Sequence, residues 1–219
     1  MITKKQGVFI ALEGTDGCGK TTSGQLVVDM LKMIGFPVLT THEPGGTNCP
    51  AAEKIRNLLL HSSVPLCPEA EASLFAASRA QHIRNFIIPK LQEGYIVVTD
   101  RFLWSSLIYQ GIGRNLGISS VEMINAPAVQ NLSPDIIFLF DLPISVAWKR
   151  IRKQKHDRFE HEGVEFQKKL RTAYLELAKI DHNAIVVDAT RSPDEVAKTV
   201  FEEIIRRIPG PEYFKGRCK

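Results

Sequence analysis

Eight consecutive residues, Gly14-Thr15-Asp16-Gly17-Cys18-Gly19-Lys20-Thr21, fit the pattern G-x-x-x-x-G-K-[ST] without a mismatch. Glycines at this spacing let the backbone curl so that successive N–H groups converge on phosphate oxygens, and a helix that follows adds its positive end. Lys20 supplies a cation for the β- and γ-phosphates of ATP, and Thr21 offers a hydroxyl to Mg²⁺. With Thr22, the loop forms a cradle for the triphosphate. A chance match in a glycine-rich turn is the competing explanation. The context argues against it, because the apolar run V-F-I-A-L precedes the loop and an amphipathic stretch follows. Asp100, which closes the run Tyr95–Thr99, stands where a carboxylate would hold the same Mg²⁺ through water. Strand-end aspartates also cap helices, but beside a phosphate loop the metal role takes precedence.

These groups need a scaffold, and the sequence supplies one. Short β-branched runs at Val8–Leu12, Pro37–Thr40, Tyr95–Thr99, Ile136–Phe140 and Ala184–Val187 alternate with longer helical stretches. Thr21–Ile34 is amphipathic, with Leu26, Val27, Met30, Leu31 and Ile34 on one face and Gly35 just beyond. Ala51–Leu60, Pro68–Glu93 (bent near Pro89) and Pro193–Ile208 read as further helices. The alternation predicts βαβ units: an α/β fold with a five-stranded parallel sheet and helices on both faces. Ligands in such sheets sit at the carboxyl ends of the strands, which here carry Glu13, Asp100, Asp141 and Asp188.

Composition frames the class. The 219 residues are 44% hydrophobic and 24% charged, ordinary for one globular domain spanning 1–219. A net charge of +4 suits small polyanionic substrates and is too weak to indicate nucleic-acid binding. Cys18, Cys49, Cys67 and Cys218 form no C-x-x-C pair, as expected for thiols in a reducing compartment. The apolar run behind Lys4 and Lys5 is too short for a signal-peptide core or a membrane span. The expectation is a cytoplasmic protein without a membrane or nucleic-acid partner.

Three more segments carry a resemblance: Glu43-Pro44-Gly45-Gly46-Thr47, Leu74-Phe75-Ala76-Ala77-Ser78-Arg79, and Asp100-Arg101-Phe102 leading to Ser105-Ser106-Leu107-Ile108-Tyr109-Gln110-Gly111. With the phosphate loop and Asp157-Arg158-Phe159-Glu160, in this order, the chain resembles the bacterial-type thymidylate kinases, a P-loop NTPase fold, over nearly its whole length. The resemblance implies transfer of the γ-phosphoryl group of ATP to dTMP, and homodimerisation. It implies that Phe75 stacks on thymine, and that Arg79, on the same helix face at i+4, donates to a thymine carbonyl. Gln110 would pair with the imide edge through its amide, Tyr109 would pack near the deoxyribose, and Ser106 would approach the base. Arg101 and Arg56 would grip the acceptor phosphate with planar guanidinium forks. Asp16 and Glu43 would lie at the acceptor sugar or the metal shell. By the same analogy, Asp188–Arg191, with Thr190 and Arg191, would line the adenine pocket. Taken singly, Phe75 would be read as core and Arg79 as a surface cation; the joint pattern reverses this.

The run Lys149–Gly163, K-R-I-R-K-Q-K-H-D-R-F-E-H-E-G, would by default be a solvated helix face. It resembles the family's short basic lid, at about 149–163. The phosphate loop holds no arginine, so Arg152 and Arg158 are expected to act catalytically on the phosphates, beside Lys20 and Asp100, with Arg150 flanking adenine. Two departures stand out. His42 replaces the arginine usual before Glu43, and the tail 209–219 matches no family segment and reads as a loose end. The rival enzymatic reading is a deoxynucleoside kinase or another nucleoside monophosphate kinase. A nucleotide switch is disfavoured, since neither N-K-x-D nor D-x-x-G occurs where it would be needed.

Overall fold

The computed structural model describes residues 7–61, 64–151 and 163–214. The strands β1 (Val8–Glu13), β2 (Val38–His42), β3 (Ile96–Asp100), β4 (Ile136–Asp141) and β5 (Ala184–Asp188) form one sheet in the order β2-β3-β1-β4-β5. Every pairing is parallel, with Val8 opposite Ile96, Ile10 opposite Ile136 and Ile137 opposite Ala184. This is the predicted α/β architecture, and the strand boundaries differ by a residue or two from those expected.

Alternation along the strands builds two cores. Ile10, Leu12, Val98 and Phe138 face α1 (Lys20–Met33) and α9 (Pro193–Arg207), where Val27, Leu31, Val196 and Val200 are buried. Phe9, Ala11, Val97, Ile137 and Leu139 face the opposite way, onto Ile83, Ile87, Trp104, Ile108, Val121 and Leu170. Fully burying one such aliphatic side chain contributes about 1.5–3 kcal/mol, so each face holds its helices firmly. The second face is covered by α3 (Pro68–His82), α4 (Ile88–Gln92), α5 (Leu103–Ser106), α6 (Ile118–Val129) and α8 (Val164–Ile180), while α2 (Pro50–His61) packs on α3. A short helix, α7 (Ile144–Ile151), follows β4.

Three expectations need correcting. The helix expected over Pro68–Glu93 is interrupted at Ile83–Ile87 by a π-helical turn, one turn earlier than the predicted bend. Pro89 has no N–H to offer the carbonyl of Asn85, and its ring crowds that carbonyl, so the irregularity falls before the proline. Ile34 lies outside α1 and is half exposed, whereas Gly35 does end the helix at φ +91°. The described part of the tail is anchored: a 3₁₀ turn over Pro211–Phe214 buries Phe214 edge-on against Phe36, with ring centroids 5.7 Å apart. Two aromatic rings so far apart in the chain, neither within a motif, gave no sequence signal for that contact.

Candidate active site

At the carboxyl ends of the strands lies a cavity of about 560 Å³. One end is the phosphate loop. Gly14 takes φ +142°, and a Cβ there would stand 2.7 Å from the Phe140 carbonyl, so only glycine fits. The Lys20 ammonium lies over the loop and donates to the carbonyls of Gly14 (3.0 Å) and Thr15 (2.9 Å). The Thr21 hydroxyl donates to Asp100 Oδ2 at 2.5 Å, joining the start of α1 to the end of β3. Gly17, Gly19, Lys20, Thr21, Thr22 and Asp100 all line the cavity. Gly14, Thr15 and Cys18 are buried behind that lining.

The middle is organised by Arg101, which adopts a left-handed φ of +71°. A non-glycine residue there is strained, a condition that functional sites tolerate when the surroundings enforce it. Its backbone N–H donates to Leu12 O at 2.9 Å. Its guanidinium donates to Gly14 O (3.1 Å) and Ser105 Oγ (2.9 Å), and it is ion-paired with Asp16. Tyr109 donates its hydroxyl to Asp16 Oδ2 at 2.7 Å. Burial alone would raise the Asp16 carboxyl, but Arg101 and then Lys20 outweigh it and hold the group below its ordinary range. Asp16 is therefore an anion within the phosphate loop, already carrying its own counter-ion.

The far end is formed by Glu43, Pro44, Arg56, Leu60, Phe75 and Gln110. The Glu43–Pro44 peptide is cis, and Arg56 donates to the Pro44 carbonyl at 2.6 Å. Gly46, at φ +150°, lies so close to the His82 ring that a Cβ would stand 2.3 Å from it. His82 is buried between Glu43 Oε1 (3.1 Å) and Thr41 Oγ1 (2.6 Å). Burial would raise Glu43 as well, yet Arg79 and His82 hold it below the usual carboxylate range. His42 lines the cavity and is bonded to Glu53 at 2.8 Å, so its ring braces the loop.

Not all of the expected residues meet at the cavity. Arg79 is 2% exposed and does not line it. It donates to Glu43 Oε2 (2.8 Å), Asn125, the Phe102 carbonyl (3.0 Å) and Ser106 Oγ (3.1 Å), which engages four of its five N–H groups. Ser106 faces this buried network too. Its neighbour Ser105 is the one on the cavity, because adjacent helical residues point about 100° apart. Thr190 and Arg191 are exposed and engaged with Asp188, and neither lines the cavity. Arg150 does line it and donates to Ala189 O at 3.4 Å, next to the loop that follows β5. Arg152 and Arg158 lie outside the described residues.

Of the four acids at strand ends, only Asp100 reaches the cavity. Asp141 forms a two-pronged pair with Arg171 of α8 (2.7 and 2.8 Å). Glu13 is fully buried and accepts from Phe102 N (2.8 Å), Ser105 N (3.3 Å), Ser105 Oγ (2.7 Å) and Tyr174 Oη (3.2 Å). It thereby holds the first turn of α5 and, through Tyr174, α8. Burial raises its carboxyl above the ordinary range despite Ser105 and Arg101. Glu13, Ser105, Tyr174, Glu71 and Asn125 were not singled out as site residues; Glu13 had its strand-end place and Ser105 its place in a quoted segment, and the other three carried no sequence cue.

Comparison with known proteins identifies the family. A family model described as thymidylate kinase matches residues 12–200. The chain is similar to proteins named thymidylate kinase from Fervidobacterium nodosum (42% identical, covering 89% of this chain and 97% of the relative) and Thermosipho africanus (43%, covering 86% and 93%). It is likewise similar to one from Caldanaerobacter subterraneus subsp. tengcongensis (40%, covering 96% and 98%).

Proposed function

The chain belongs to the thymidylate kinase family and transfers the γ-phosphoryl group of ATP to dTMP, giving ADP and dTDP; we propose that the cavity between the phosphate loop and Phe75 is where it does so. The observation that carries this is the lining itself. Donor machinery (Lys20, Thr21, Asp100) and an aromatic, arginine-bearing acceptor end (Phe75, Arg56, Arg101, Gln110) open onto one space.

Phosphoryl transfer asks a protein mainly for positioning and positive charge. The loop amides and Lys20 take the β- and γ-phosphates of ATP, and a phosphate oxygen competes with the Gly14 and Thr15 carbonyls for the Lys20 ammonium. Thr21 and Asp100 present adjacent hard oxygens, the donor set that suits Mg²⁺ shared with nucleotide phosphates. When bound, Mg²⁺ supplies neutralisation of charge on the bridging oxygens. Arg101 and Arg56 orient the dTMP phosphate, Asp16 and Tyr109 border the sugar, and Phe75 and Gln110 take the base. Arg79 acts behind them by holding Glu43. Arg150 lies on the adenine side, and Arg152 and Arg158 close over the phosphates and exclude water.

No helix among the described residues is long and apolar enough to cross a membrane. Leu58 on α2 and Met123 on α6 leave apolar surface exposed on the helical side that a homodimer would use. A coupled ADP-release assay across dTMP, dUMP, UMP, CMP, AMP, GMP and thymidine tests the assignment. The highest kcat/KM is expected with dTMP, and faster turnover of thymidine or a purine monophosphate would overturn it.

A further inference from the structure

Gln110 is 1% exposed and lines the cavity, yet its Oε1 is buried with no hydrogen-bond partner. Its Nε2 donates to Glu71 Oε1 at 2.8 Å. Glu71, on α3, is 2% exposed and ion-paired with Arg114 at 3.3 Å. A carboxylate paired with a guanidinium has only acceptors to offer. It therefore fixes which way the Gln110 amide faces, with NH₂ toward Glu71 and the carbonyl oxygen left over. An amide free to flip could present either a donor or an acceptor to a ligand. This one is held with its nitrogen at Glu71 and its unpaired oxygen left to accept.

We propose that Glu71, held by Arg114, is a positioning residue that sets pyrimidine selectivity by locking Gln110 so that only a base with an N3–H donor satisfies its Oε1. Thymine and uracil carry that donor. A cytosine ring has a bare acceptor at N3, which would face Oε1 lone pair to lone pair. A buried polar group left unpaired costs far more than a satisfied one gains, which is how a site of this kind rejects the wrong partner. This inference rests on the reading above that Gln110 meets the base.

The probe pair is dTMP and 5-methyl-dCMP, which share the methyl group and the sugar phosphate and differ at the N3/C4 edge. In Glu71→Gln, residue 71 can donate to Gln110 Oε1, so the Gln110 amide can turn and offer NH₂ to the base. The ratio of kcat/KM for dTMP over 5-methyl-dCMP is expected to fall by about tenfold or more, with KM for ATP unchanged. In the exchange variant Glu71→Gln/Gln110→Glu, total charge is kept and either carboxylate oxygen at position 110 accepts, so dTMP preference is expected to return. A purely structural role would lower both substrates together and leave the ratio alone.

Gln110→Met separates the two levels. If it leaves kcat/KM for dTMP unchanged, Gln110 does not meet the base and the underlying site reading fails. If it impairs dTMP while Glu71→Gln leaves the ratio intact, only the Glu71 proposal fails. Should Glu71→Gln not fold, the exchange variant decides: a dTMP preference no better than that of Gln110→Met would overturn the proposal.

Discussion

The guanidinium of Arg101 at the end of β3 is ion-paired with Asp16 inside the phosphate loop, so the acceptor-side cation is tethered to the donor-side backbone. The same group also holds Ser105, and all these contacts need the planar fork. Arg101→Lys keeps a positive charge but cannot span Gly14, Asp16 and Ser105 together. It is expected to lower kcat/KM for dTMP by about a hundredfold with little change in KM for ATP. Steady-state kinetics with each substrate varied would check this, and wild-type values would mean that charge alone suffices.

Phe75 is partly buried and lines the cavity. Loss of base stacking worth about 1–3 kcal/mol predicts that Phe75→Ala raises KM for dTMP by about ten- to a hundredfold and leaves KM for ATP nearly unchanged. An unchanged dTMP KM in the same assay would make Phe75 a core residue.

Arg79→Lys is expected to be a stability mutation first. It strands Asn125 and Ser106 and weakens the buried pair with Glu43. Breaking such a network costs about 3 kcal/mol. Urea denaturation measures that loss, and a midpoint equal to the wild type would show that the network is dispensable.

Glu13 gives a pH signature. Its carboxyl is raised in the folded state, so the native protein binds more protons at this site than the unfolded chain. That contribution is fully present below the unfolded value of 4.5 and is lost as pH rises through the folded value. Gln at this position cannot titrate. Relative to wild type, the Tm of Glu13→Gln should therefore climb as pH increases above 4.5, whatever constant offset the substitution brings. A flat difference across that window would show that Glu13 is not perturbed by its burial.

For the basic run, Arg152→Ala is expected to lower kcat by about a hundredfold or more with little change in KM for dTMP, as for an interaction made mainly in the transition state. Near-normal kcat in every alanine variant from Lys149 to Arg158 would remove the lid assignment.

The sheet and the phosphate loop were legible because their signals are local: five-residue apolar runs and one unbroken motif. The segment Leu103–Gly113 was not legible as helix. It is short, buried nearly all round and partly π-wound, so no 3.6-residue stripe marks it. The second layer of the site was hidden for a different reason. Glu13 meets Tyr174 across 161 positions and Arg79 meets Asn125 across 46, and each of these residues alone reads as an ordinary polar group. The exchange of Ser106 for Ser105 shows the limit of motif transfer, which finds the turn but not the direction in which each side chain leaves it.

The π-helical turn over Leu107–Gly113 makes the placement of Gln110 against Arg114 depend on chain length as well as on side chains. Removing one residue there would let the segment wind as ordinary α-helix, and every position beyond the deletion would swing by about 100° relative to those before it. Arg114, which lies just past the turn, would then part from Glu71, while the strands and the phosphate loop kept their places. A deletion between Gly111 and Gly113 would thus keep every residue that lines the cavity in the chain while separating the two partners of Glu71.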